Sequence, residues 1–146
     1  MVTAQVVNVV DGDTIDVLIN GQQRRVRYIG IDAPETVASN RKAEPFGQES
    51  SERNRSLVDG RAVCLERDFS ETDQFMRFLR YVWLNEDTMV NGLLVSEGLA
   101  LARPYPPDVK YADMFEEFEI QAKERGRGLW AKGQTPTVTP DPTHVR

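Results

Sequence analysis

Hydrophobic residues that recur at every second position and then stop at a tight turn constrain this chain most. Val2, Ala4, Val6 and Val10 alternate with mostly polar neighbours, and Ile15, Val17 and Ile19 repeat with the same period up to Asn20-Gly21. A period of two belongs to a strand with one buried face, and Asn-Gly suits a two-residue hairpin turn because both turn residues take positive φ. Two strands and a sharp reversal are therefore predicted. Beyond the turn, Arg25, Arg27, Ile29 and Ile31 share one face of a third strand and Val26 and Tyr28 the other, until Pro34, which lacks an N–H, ends the pairing.

The rest of the chain continues in short elements. Residues 37 to 45 are polar and read as an exposed mobile loop, followed by a helix from about Phe46 to Val58 that Gly60 ends. A fourth strand is predicted over Arg61 to Glu66 and a fifth over Arg77 to Leu84, with the acidic, turn-rich stretch Asp68 to Asp73 between them. A short helix over Val90 to Glu97 stops at Gly98. The last helix is marked by Tyr111, Met114, Phe115, Phe118 and Ala122 on one face and ends near Gly126 to Gly128. Five short strands and three helices make an α+β chain, most economically a small closed barrel of the oligonucleotide-binding (OB) type with helices beside it.

A length of 146 residues fits one domain with its own core. We expect that domain over residues 1–132. The segment 133–146, with three prolines and little apolar surface, reads as a disordered tail or linker. No run approaches the roughly 20 apolar residues of a membrane span, so no membrane partner is expected. Cys64 is the only cysteine, which excludes an internal disulfide and a cysteine-rich zinc site. Met1 leads straight into the first strand with no basic or apolar leader, so a signal peptide is either absent or already removed. The net charge of −5 argues against a nucleic-acid partner, but a bound dication reverses the local field where a phosphate would sit.

Chemistry concentrates in three places. Asp11 and Asp13, in Asp11-Gly12-Asp13-Thr14, precede the second strand, and Asp32 closes the third, so the open end of the hairpin brings Asp13 near residues 28 to 32. Clustered carboxylates suit a hard divalent cation, and without one their like charges oppose folding near neutral pH. Glu35 stands three residues beyond Asp32, where a carboxylate can act as a general base or orient a water. Arg27 and Arg77 offer planar forks that match phosphate oxygens and stabilise a five-coordinate transition state. Taken singly, each is more often an ordinary surface group or turn residue. Arg24, Arg25 and Arg80 are left in the surface class. His144 lies in the tail, Cys64 lacks a histidine partner within the body, and Tyr105 reads equally as a base-stacking or a loop-packing residue.

The chain resembles the staphylococcal nuclease family over about residues 3 to 131. The carriers are VVDGDTI at 9–15, VRYIGIDAPET at 26–36, PFGQESS at 45–51, the Asp73 to Arg77 segment, VNGLLVSEGLA at 90–100 and GLW at 128–130. The resemblance implies the five-stranded OB-type barrel with three helices, and calcium-dependent hydrolysis of DNA and RNA, single strands preferred, that leaves 3'-phosphate ends. It also implies Asp13, Asp32 and the carbonyl of Ala33 as calcium ligands, with magnesium or manganese as alternatives. Glu35 then stands beside the attacking water, and Arg27 and Arg77 bind the phosphate. A monomer, secreted or otherwise outside the cytoplasm, is expected on the same ground. Ala33 replaces a threonine of the best-known member, Phe75 and Met76 replace tyrosine and glycine, and the nucleotide-holding tyrosine pair is altered around Arg103 to Pro107. The rival reading is a non-catalytic module on the same fold that binds nucleic acid or peptides.

Overall fold

A computed structural model describes residues 1–36, 44–131, 138 and 140. The long alternating segment forms β1 (Val2–Asp11) and β2 (Thr14–Ile19), and β3 (Gln22–Tyr28) follows the Asn20-Gly21 turn. Asn20 and Gly21 both have positive φ, 51° and 77°, as the turn requires. β5 (Ala62–Glu66) and β6 (Phe78–Asn85) complete the main strands. The order is β3-β2-β1-β5-β6, and a parallel pairing of β3 with β6, Val26 opposite Phe78 and Arg27 opposite Leu79, closes five strands into a barrel. Closure removes the unpaired edges an open sheet would leave.

Two two-residue strands were not predicted, and the predicted third strand is interrupted at Ile29 and at Gly30, whose φ of 80° sets Ile31–Asp32 apart as a short strand of its own. β4 (Ile31–Asp32) pairs with β8 (Leu101–Ala102), setting Asp32 opposite Leu101, and β7 (Thr88–Met89) pairs antiparallel with the end of β6. The helices are α1 (Gly47–Val58), α2 (Val90–Ser96) and α3 (Ala112–Glu124). The core is the barrel interior, with Val6, Ile15, Val17, Val26, Tyr28, Leu65 and Val82 almost fully buried, and α2 and α3 add Leu94, Val95 and Phe115. The aromatic stripe of α3 packs as its spacing requires: Tyr81 meets Tyr111 edge to face at 4.6 Å and Phe115 at 6.1 Å.

Arg80 is not a surface residue. It is 8% exposed, donates to the carbonyls of Glu71 and Leu79 at 2.9 and 2.8 Å, pairs with the Glu71 carboxylate and lies over the Phe78 ring at 4.8 Å. Burial of its charge is supported by this full set of acceptors. Most of the predicted loop, residues 37–43, and all of the tail but Val138 and Pro140 lie outside the described residues. His144 is among those outside. Val138 is buried, and its carbonyl accepts from Arg103 Nη2 at 2.6 Å.

Candidate active site

The Asp11 to Thr14 corner is held from below by α1. Gly12 has no room for a side chain: a Cβ there would stand 2.8 Å from the Cβ atoms of both Ala33 and Ser50. The corner can therefore press against the Asp32-Ala33 segment and the helix together. Buried Tyr28 donates from its hydroxyl to Asn54 Oδ1 at 2.7 Å, and Asn54 Nδ2 donates to the Asp11 carbonyl at 2.9 Å. Ser50 donates to the Leu99 carbonyl. The face of α1 turned to the barrel is thus polar where it meets the corner, and its hydroxyl and amide groups fix backbone positions.

From this corner Asp13 reaches across the open end of the hairpin. Its carbonyl accepts the Tyr28 N–H at 2.9 Å, Oδ2 accepts the Ala33 N–H at 2.8 Å, and Oδ1 accepts the Thr14 hydroxyl at 3.0 Å. Arg27 Nη2 pairs with Asp32 Oδ1 and lies 3.3 Å from Asp13 Oδ2, so one nitrogen stands between the two carboxylates. The same guanidinium is anchored through Nη1 to the carbonyls of Tyr28 and Ile31, at 2.8 and 2.9 Å, and its side chain is only 1% exposed. Asp13, Asp32 and Arg27 are brought together as the hairpin predicts.

Asp32 receives two further donors that sequence reasoning missed. The Tyr105 hydroxyl donates to Oδ2 at 2.6 Å, and Arg103 Nη1 donates to the same oxygen at 3.0 Å. The β4–β8 pairing and the Arg103 N–H bond to the Gly30 carbonyl at 2.9 Å bring both residues there. Strands of two residues carry no periodicity, so the altered tyrosine pair was the only available signal.

Electrostatically the site holds more buried acid than it neutralises. Burial pushes the Asp11 carboxyl well above the ordinary carboxylate value, and the neighbouring Asp13 charge pushes it further. Burial also raises Asp32, against the pull of Arg27 downward, and Asp13 adds to the rise. For Tyr105, burial and then the Asp32 charge hold the hydroxyl proton on.

The two remaining predicted residues, Glu35 and Arg77, are each anchored by an acidic neighbour, Glu44 and Asp73. Glu35 is 9% exposed, and its main chain is clamped by Glu44, whose carboxylate accepts the Glu35 N–H and whose N–H donates to the Glu35 carbonyl, both at 3.0 Å. Gly47, at the start of α1, is required by this approach, since a Cβ there would fall 2.0 Å from the Glu35 carbonyl oxygen. Arg77 leads into β6 two residues before Leu79, the register partner of Arg27. Its Nε donates to Asp73 Oδ2 at 2.7 Å.

The donor set bears on a metal in two ways. Asp13, Asp32 and the Ala33 carbonyl are all oxygen donors, as a hard divalent cation prefers, and the carboxylates lie either side of a single nitrogen. Among the described residues no group of three or more His, Cys, Asp or Glu converges as a ready metal cage. Two carboxylates and a carbonyl suit an open site whose remaining positions go to water and substrate rather than a closed structural one.

Comparison with known proteins identifies the family. The profile described as staphylococcal nuclease homologue matches residues 25–132. The chain belongs to the staphylococcal nuclease family. The thermonuclease of Staphylococcus hyicus is 40% identical over 129 residues, covering 88% of this chain and 76% of that protein. In Bacillus subtilis (strain 168), endonuclease YncB is 39% identical, covering 84% of this chain and 59% of its own length, and the SPbeta prophage-derived endonuclease YokF is 41% identical, covering 84% and 42%. The barrel with three helices is thus a staphylococcal nuclease fold.

Proposed function

We propose that this protein is a nuclease that hydrolyses the phosphodiester bonds of DNA and RNA, single strands preferred, with calcium as its working metal and 3'-phosphate ends as its product. The observation that carries the reading is the placement of Arg27 Nη2 between two buried carboxylates, Asp13 in the corner before β2 and Asp32 on β4. Thermonuclease and endonuclease relatives support the reaction class.

In this reading Asp13, Asp32 and the Ala33 carbonyl hold the cation. Calcium, when bound, supplies positive charge that draws in the phosphate and offsets the charge it gains in the transition state. Arg27 keeps the two carboxylates aligned through its anchors on Tyr28 and Ile31. Arg77, steadied by Asp73, donates to the equatorial phosphoryl oxygens as their charge grows. Glu35 takes a proton from the attacking water, whose oxygen forms the new bond to phosphorus. The bond from phosphorus to the 5'-oxygen breaks, and that oxygen leaves as a hydroxyl once protonated by solvent.

Incubation of single-stranded DNA and of RNA with the protein in millimolar calcium, with and without chelator, tests this. Cleavage that the chelator stops, with ends that accept 5'-phosphorylation by a kinase, is expected. Undiminished cutting in excess chelator overturns the metal, and binding without cutting in any divalent metal overturns catalysis in favour of a binding module.

A further inference from the structure

The cations around Asp32 differ in one respect that matters for a charged ligand. Arg27 is enclosed and tied to two carbonyls, so it cannot leave without stranding buried polar groups. Arg103 is 27% exposed in its side chain, stands at the end of a two-residue strand and touches Asp32 only through Nη1. Its Nη2 donates to the Val138 carbonyl, and part of the guanidinium fork remains unengaged among the described residues. Asp32 Oδ2, which Arg103 occupies, is one of the oxygens that the proposed cation needs. A guanidinium 3.0 Å from that oxygen opposes a dication there by like-charge repulsion.

We propose that Arg103 is an exchangeable cation of the site: it neutralises Asp32 in the metal-free protein and turns to a phosphate oxygen of the bound strand when the site is loaded. This rests on the metal-dependent nuclease reading above. Arg103 is then a substrate-binding residue additional to Arg77, and more exposed than either Arg77 or Arg27. A planar fork that leaves a carboxylate finds in a phosphate an acceptor of similar geometry, so the exchange costs few hydrogen bonds. The consequence is a pair of opposite effects. Removing the Arg103 charge should favour the cation and disfavour the polyanion.

The test compares the parent with Arg103→Gln and Arg103→Lys. Calcium is titrated calorimetrically into each metal-free protein without nucleic acid, and kcat and KM are measured on a single-stranded DNA oligonucleotide at saturating calcium. Arg103→Gln should bind calcium about fivefold more tightly or better, and its KM should rise by about as much with kcat nearly unchanged, values at the lower end of usual coupling between sites. Arg103→Lys, which keeps the charge but not the fork, should match the parent in calcium affinity and show a smaller rise in KM. Weaker calcium binding in Arg103→Gln would make the residue a bracket for Asp32 and overturn the proposal, as would an unchanged KM. If Arg103→Gln does not fold, weaker calcium binding or an unchanged KM in Arg103→Lys overturns it in the same way. A parent that binds no calcium overturns the metal reading first and this exchange with it, whereas a parent that binds and cuts beside an indistinguishable Arg103→Gln overturns the exchange alone.

Discussion

The two oxygens of Asp73 hold different parts of Arg77: Oδ2 accepts the side-chain Nε at 2.7 Å, and Oδ1 accepts the backbone N–H of the same residue at 3.0 Å. Oδ1 also accepts the Phe75 N–H at 2.9 Å. One buried carboxylate thus shapes the turn into β6 and aims the guanidinium that the turn delivers. Asp73→Ala should lower kcat about 10-fold or more by misplacing Arg77, whereas Arg77→Ala should lower it about 10²-fold, as for a lost transition-state donor. Calcium affinity should stay at the parent value in both. Steady-state kinetics beside calorimetry checks this, and a fall in calcium affinity equal to the fall in kcat would refute the division of labour.

The same turn carries a cost. Met76 sits at φ 67° and is 76% exposed, so a side chain with a Cβ occupies left-handed backbone and gains little burial in return. Relieving that conformation is worth roughly 1 kcal/mol. Met76→Gly should therefore raise stability by about that amount, less the entropy a glycine adds to the unfolded chain. Urea unfolding monitored by Trp fluorescence gives the number, and a destabilised variant would mean that the methionine packs where the structure shows solvent.

How far the sequence led can be judged at Asp13 and at Arg103. Period-two alternation and Asn20-Gly21 define β1, β2 and the start of β3, and hairpin geometry alone then carries Asp13 to the end of β3, where its carbonyl meets the Tyr28 N–H. Arg103 and Tyr105 reach Asp32 through the β4–β8 pairing, which has too few residues to leave a pattern. The inner face of α1 is hidden for a different reason. Ser50 and Asn54 carry no apolar signal in the sequence, yet both are buried, Asn54 donating to the Asp11 carbonyl of the Asp11 to Thr14 corner and Ser50 to the Leu99 carbonyl. Arg80 misled in the same way, since the burial of a cation depends on acceptors from Glu71, in a loop whose path no local signal gives.

That correction changes what Arg80→Ala should do. Two carbonyls and the Glu71 carboxylate would lose their donor, at about 1–3 kcal/mol for each acceptor left buried and unpaired, though Glu71 itself remains half exposed and can turn to water. A drop in stability of about 2 kcal/mol is expected, with kcat near the parent value at a temperature where the variant is folded. Chemical denaturation and kinetics together decide, and loss of activity in a fully folded variant would place Arg80 in the site.

Glu66 provides a pH dependence separate from that of Asp11 and Asp32. Burial pulls its pKa upward, but donors from Lys110, Trp83 and Tyr111 outweigh it and hold the carboxyl below the usual glutamate value. A pKa depressed on folding contributes stability that is present above the unfolded value, near 4.5, and is lost as pH falls through the folded one. Glu66→Gln should accordingly be less stable than the parent at neutral pH, and the gap should narrow in acid below the ordinary glutamate range. Melting temperatures of both proteins across that range test the sign, and a gap that widened in acid would contradict it.

Asp11 and Asp32 are both buried acids, and their arrangement predicts opposite responses to the same change in the metal-free protein. Asp11 accepts the Asp13 N–H and otherwise faces the Asp13 charge, with Arg27 a weaker and more distant offset. An asparagine there keeps the acceptor and can donate its amide to Asp13, replacing repulsion by a hydrogen bond worth about 1 kcal/mol. Asp32 instead receives Arg27, Arg103 and Tyr105, and Asp32→Asn would leave two guanidinium groups short of their counter-ion, one of them enclosed. Breaking a buried pair from one side costs about 3–5 kcal/mol, less here because Asp13 still faces Arg27 at 3.3 Å. The arginines therefore reverse what the convergence of like charges alone would give for Asp32. In chelator at neutral pH, Asp11→Asn should melt above the parent and Asp32→Asn below it, while only Asp32→Asn should lose most of the stabilisation that added calcium confers by binding the native state. Thermal unfolding of the three proteins with and without calcium reads all of this, and an Asp32→Asn variant more stable than the parent in chelator would show that repulsion from Asp13 outweighs the two arginines.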